Sequence, residues 1–211
     1  QNKLQVMEPS LKAFESKRKG DFKGAINAYQ ILVSKNPSNP IPHYLLAKIY
    51  IMLNDNKNAK QELLKAEIKG QMNPNLGLPQ VHIYLAGLEL ESLYSTSKLN
   101  RSVLKKIKTK YKNEQAKYIE ANKKAILANS QKRISPTSLV SVIQKELGKK
   151  YNESELPAEV LKQYDLALTL SQTNLVILNE LQKVFSNLNA KTRLKKVNTQ
   201  IEIANKANKK S

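Results

Sequence analysis

The chain has 211 residues, 40% of them hydrophobic, with 36 Lys and Arg against 17 Asp and Glu and a formal net charge of +19. That length is enough to bury a real core in one or two domains, and six Gly with eight Pro exclude collagen-like and low-complexity chains and argue against most all-β architectures. The absence of Cys excludes disulfide frameworks, thiolate metal sites and Cys nucleophiles, and two His argue against a His-based metal centre.

The charge is uneven. Residues 1–97 carry 12 basic and 8 acidic side chains, residues 98–150 carry 15 and 3, and residues 151–211 carry 9 and 6. Lys outnumbers Arg by 32 to 4 and Asn is abundant, as in proteins from AT-rich genomes. Such a bias raises basicity everywhere but does not concentrate it in one segment. No stretch approaches the ~18 apolar residues of a membrane span. The chain opens on Gln1 rather than Met, and the expectation is a bacterial cell-envelope protein trimmed of an upstream signal or lipid anchor.

Apolar residues recur with the helical period throughout, and no sustained alternation of period two occurs. Gly20 and Phe22 open a helix that carries Ala25 and Tyr29 and stops at Pro37. Gly suits a tight turn, Ala permits close helix approach, and Pro ends the helix. Helices follow at about 41–53 and 56–69, with Leu46, Ala47, Tyr50, Ala59 and Ala66 on their inner faces. Asn54, Asp55 and Asn56 form the turn between them, because Asn and Asp tolerate the left-handed region. Ala25 and Ala59 are 34 residues apart. A Gly/Pro/Asn-rich loop from Gly70 to Pro79 leads to a helix at 80–94, where His82 to Ala86 echo His43 to Ala47 at a spacing of 39.

From Leu99 to about Ser130 a basic helical pattern repeats Leu104, Tyr111, Tyr118 and Ala125 every seven residues. Unbroken, it would span about 45 Å; the alternative is a break near Lys112 and Asn113. A short helix from Thr137 or Ser138 ends at Gly148. Helices at about 158–171, 174–188 and 191–206 complete the chain, with the last eight residues expected to fray. Tyr164 to Asn198 and Ala167 to Ile201 are again 34 apart, and Leu188 and Asn189 read as a turn.

The residues from Gly20 to Pro37, and the second unit at the same period, resemble the tetratricopeptide repeat (TPR), a unit of two antiparallel helices. The resemblance implies an all-α, TPR-like α-solenoid of antiparallel helix pairs. Three regions are expected: TPR-like repeats over 1–97, a long basic helical segment over 98–150, and TPR-like helices over 151–211. The last region reads as one and a half units. Proteins of this family act as adaptors, so the implied function is non-enzymatic protein–protein binding.

In the family, first helices line a concave binding face. The corresponding positions here are Met7, Ser10, Phe14, Lys17 and Arg18, then Ile41, Tyr44, Lys48, Ile51 and Met52, then Gln80, Ile83, Gly87, Leu90 and Glu91. Among them Phe14, Tyr44, Lys48, Ile51, Ile83 and Leu90 are the candidate partner-binding residues. The face is unusually apolar, which means either a partner segment with apolar anchors or a covering element from the chain itself. The family's carboxylate clamp for chaperone tails is not matched: Ser10, Phe14, Leu45, Gln80 and Tyr84 stand at its five positions.

No phosphate loop, metalloprotease helix or nucleophile elbow is present, so no catalytic residue, cofactor or metal is assigned. His43 and His82 fall at equivalent repeat positions and read as packing residues. The basic patch Arg101, Lys105, Lys106, Lys108, Lys110, Lys112 and Lys117 admits an acidic protein, an anionic membrane surface, nucleic acid or plain solvation. Its scarcity of Arg argues against base readout.

Overall fold

The computed structural model describes residues 2–96, 98–128 and 138–209. They form ten α-helices with no strand among the described residues, as the periodicity implied. In order these are α1 (Asn2–Lys19), α2 (Phe22–Lys35), α3 (Pro40–Met52), α4 (Asn56–Met72), α5 (Pro79–Tyr94), α6 (Lys98–Leu127), α7 (Leu139–Gly148), α8 (Ala158–Ser171), α9 (Leu175–Asn187) and α10 (Lys191–Asn208).

One turn is built three times. Gly20, Asn54 and Asn189 sit in the left-handed region at φ of 80°, 61° and 52°. The following N–H reaches back five residues in each case: Asp21 to the Ser16 carbonyl (2.8 Å), Asp55 to Tyr50 (2.8 Å) and Ala190 to Phe185 (2.9 Å). This is the bond pattern of a Schellman helix end, which needs Gly or Asn at the left-handed residue. Two of the turns then start the next helix in the same way. Asp21 caps α2 by accepting from the Gly24 N–H at 2.8 Å, and Asp55 caps α4 by accepting from Asn58 at 3.1 Å. The turns close the pairs α1–α2, α3–α4 and α9–α10.

The third repeat is split. α5 packs along α8, and the side chains repeat the pattern of the second repeat. In the second, His43 Nδ1 on α3 meets Glu62 Oε2 on α4 at 2.6 Å. In the third, His82 Nδ1 on α5 meets Gln163 Oε1 on α8 at 2.7 Å. One residue on, Leu63 and Tyr164 are fully buried, and three further on so are Ala66 and Ala167. α8 is therefore the second helix of the repeat that α5 begins. The half unit expected at 158–171 thus finds its first helix in α5, and the last pair is α9–α10. The inward residues of α10 are Val197 and Ala204, whereas Asn198 is exposed, so the 34-residue spacing drawn from Tyr164 to Asn198 misses the core by one residue.

α6 is one continuous helix of 30 residues, with no break near Lys112 and Asn113. α10 is helical through Asn208, further than the fraying expected of the last eight residues; Lys210 and Ser211 lie outside the described residues, as do most of the residues expected to lead into α7.

The chain groups into two compact units, neither of them one consecutive stretch. Residues 1–76 join 106–139 in the first, and 77–105 join 140–211 in the second. The first unit's core is small residues at helix crossings (Ala13, Ala25, Ala28) with Tyr29, Leu46 and Ile49 around them. The second is built on Val160, Tyr164, Leu178, Leu181 and Phe185, with the Tyr164 and Phe185 rings edge to face at 6.1 Å.

Candidate functional site

In the first unit, α1 and α3 carry two cations stacked on two aromatic rings. The Arg18 guanidinium lies 5.5 Å from the centre of the Phe14 ring, and Lys48 Nζ lies 5.4 Å from that of Tyr44. All four side chains are half-buried. Lys17 is half-buried beside them, and its ammonium is pushed down to about 8, first by loss of water and then by the charge on Lys48. Burial lowers Lys48 as well. Neither lysine forms an ion pair among the described residues. Two cations are thus partly stripped of water with no carboxylate among the described residues to offset the cost.

α6 lies against the C-terminal end of α1. Arg18 Nε donates to Asn122 Oδ1 at 3.3 Å, its Nη1 meets Glu15 at 3.2 Å, and its Nη2 is buried with no partner among the described residues. A Cβ on Gly20 would stand 3.3 Å from Ile119. The α6 residues Tyr111, Gln115, Tyr118 and Asn122 follow helical spacing and are all buried. Asn122 Nδ2 donates to the Tyr118 carbonyl at 2.9 Å, so its amide is fixed in orientation. Away from this stripe, Arg101, Lys105, Lys106, Lys110, Lys112 and Lys117 are exposed, and Lys108 is half-buried.

The six candidate partner-binding residues separate by burial. Ile51, Ile83 and Leu90 are 3%, 1% and 1% exposed and belong to the core. Phe14, Tyr44 and Lys48 keep part of their surface. In the second unit the chain itself covers the expected apolar face. Gln144 of α7 donates from Nε2 to the Ile83 carbonyl at 3.1 Å, and Val140 stands where a side chain on Gly87 would be, 2.5 Å from its Cβ position. The apolar run on α5 is covered along its length by α8 and, at Ile83 and Gly87, by α7. The side chain of Met7 lies outside the described residues.

His43 and His82 are buried and hydrogen-bonded across their repeats, which is a packing role. No group of three or more acidic or His side chains suited to a metal occurs among the described residues. No helix there is long and apolar enough to cross a membrane. Sequence reasoning placed Lys17 and Lys48 on the same face but did not find their coupling, which depends on how far α1 and α3 approach. It missed Gln144 altogether, because a glutamine in a short amphipathic helix carries no signal of its buried carbonyl partner.

No curated protein and no solved structure matches the chain. The family model that does match, over residues 18–77, is the tetratricopeptide repeat, and no family match covers the remainder. Such repeats generally mediate protein–protein interaction. Residues 18–77, from the end of α1 through α4, match the tetratricopeptide repeat, and the described residues have an all-α, TPR-like fold.

Proposed function

We propose that the protein is a non-enzymatic adaptor that holds a segment of a protein partner against α1 and α3 of the first unit. Phe14 and Tyr44 receive apolar side chains, and Lys17 and Lys48 receive a carboxylate. The observation that carries this reading is the pair of half-buried lysines without an ion-pair partner among the described residues, one of them seated on Tyr44. An incoming carboxylate restores what burial removed. Ile51, in the same unit, supports the face from the core.

Selection of peptides from a random displayed library against the full chain tests the reading. Enriched peptides should combine apolar residues with an acidic one. They should lose most of their binding to the Tyr44→Ala/Lys48→Gln variant while its helical circular dichroism is unchanged. Peptides that bind the variant as well as the parent would overturn it. Affinity should fall only modestly between about 50 and 200 mM salt, whereas contacts to several nucleic-acid phosphates through α6 would cost orders of magnitude.

A further inference from the structure

We infer that the second unit carries a separate site for an extended acidic peptide, in the cleft between α7, α9 and α10. The cleft has a volume of about 1000 Å³ and is remote in sequence from the pair Lys17 and Lys48. That volume is at the upper end for a small-ligand pocket and suits a chain segment better than a metabolite.

Three features define what it would take. The first is an orphan acceptor. Gln144 lines the cleft and is 4% exposed. Its Nε2 is committed to the Ile83 carbonyl at 3.1 Å and the Tyr164 hydroxyl at 3.2 Å, which fixes the amide and leaves Oε1 buried with no donor among the described residues. A buried acceptor without a donor costs about 1–3 kcal/mol, and an N–H from a ligand would recover it.

The second is charge. Lys145, Lys149 and Lys183 are exposed along the cleft, and the charge on Lys183 acts on the Glu180 carboxylate. Glu180 is the one acidic residue lining it, and burial raises its carboxyl toward the neutral form while it accepts from Ser141 Oγ at 3.2 Å. The cleft therefore presents net positive charge to an incoming chain.

The third is a wall of side-chain amides. Asn179, Gln182, Asn187 and Asn198 line the cleft, and Gln182 Nε2 bridges α9 to α10 by donating to Asn198 Oδ1 at 2.7 Å. An amide offers one donor group and one acceptor, the complement of a peptide unit. Val176 and Leu194 provide apolar surface beside them. A peptide backbone supplies N–H to Gln144 and pairs with the amides, and its acidic side chains meet the three lysines.

The test is fluorescence anisotropy on the full chain with two labelled probes of equal charge: hexaglutamate joined through α-amides, and hexaglutamate joined through γ-amides. The α-linked probe should bind saturably and about tenfold more tightly than the γ-linked one, whose backbone is spaced differently. Lys145→Gln/Lys149→Gln/Lys183→Gln, three exposed changes, should weaken it by about tenfold or more. The Gln144 side-chain amide resonances should shift on binding, which avoids mutating a buried residue. Lys17→Gln/Lys48→Gln should leave this binding unchanged, so failure here and failure of the adaptor reading are separate results. Absence of saturable binding, equal affinity for the two probes, or loss with Lys17→Gln/Lys48→Gln but not with the triple variant would each overturn the site.

Discussion

Gly87 and Val140 are so close that a methyl group on the glycine would stand 2.5 Å from Val140 Cγ1. α5 and α7 thus meet at a point that admits no side chain on α5. Alanine is better than glycine in a helix by about 1 kcal/mol, but overpacking costs about 1–3 kcal/mol, and a short β-branched neighbour cannot swing away. Gly87→Ala should therefore lower the melting temperature by a few degrees. Adding Val140→Ala should restore it. A single variant that melts above the parent would show that α7 yields freely.

Gly20 should tolerate asparagine better than alanine. Its φ of 80° strains an L side chain by about 1–2 kcal/mol, and its neighbour Ile119 is at 3.3 Å from the Cβ position. Asn54 and Asn189 occupy the same turn in other repeats. In urea titrations Gly20→Ala should lose about 1–2 kcal/mol and Gly20→Asn clearly less. Equal losses would mean that the contact with Ile119, not the backbone, decides.

Lys17 sets a slope of stability with pH. Its folded value of about 8 lies below its ordinary 10.5, so between them the unfolded chain holds more protons. Stability must then rise with pH through this window. Above about pH 10 the buried tyrosines oppose it, because burial raises Tyr29, Tyr118 and Tyr164. Denaturant midpoints should climb from about pH 8 to 9.5 in the parent and climb less in Lys17→Met. An unchanged slope in the variant would assign the effect elsewhere.

Glu62 acts at the acid end. Burial alone would raise its carboxyl, but hydrogen bonds with His43 and Lys65 more than offset this and hold it below the usual 4.5. A lowered carboxylate stabilises the fold above its unfolded value, and that contribution is lost as pH falls through the folded value. Glu62→Gln should be less stable than the parent near neutrality, and the gap should close below about pH 4. A gap that persists there would make the effect one of shape rather than charge.

Much of this was legible in the residues, and what escaped has a common cause. Gly20, Asn54 and Asn189 announce their turns because few residues accept the left-handed backbone. The helices of the first two repeats follow from Ala25, Ala59 and the 34-residue period, all local in the chain. The pairing of α5 with α8 is not local, and His82 with Gln163 is visible only once the residues between are set aside. Ile51, Ile83 and Leu90 read as an open apolar face because sequence shows which residues share a face and not what lies on it. Phe14, Tyr44 and Lys48 were placed on that face by the same reasoning, and their partial exposure is what the sequence could not distinguish.

The divided third repeat has a consequence for how the chain folds as it is made. The pairs α1–α2 and α3–α4 close between neighbours, so they form as soon as each second helix is synthesised. α5 cannot; its partner begins at Ala158, after α6 and α7 have been added. Contacts of such sequence separation form slowly, and until then α5, apolar on most of its surface, stands without its cover. The nascent chain is most in need of a chaperone during that interval, and ribosome stalling between Tyr94 and Ala158 would be the point at which it aggregates most readily.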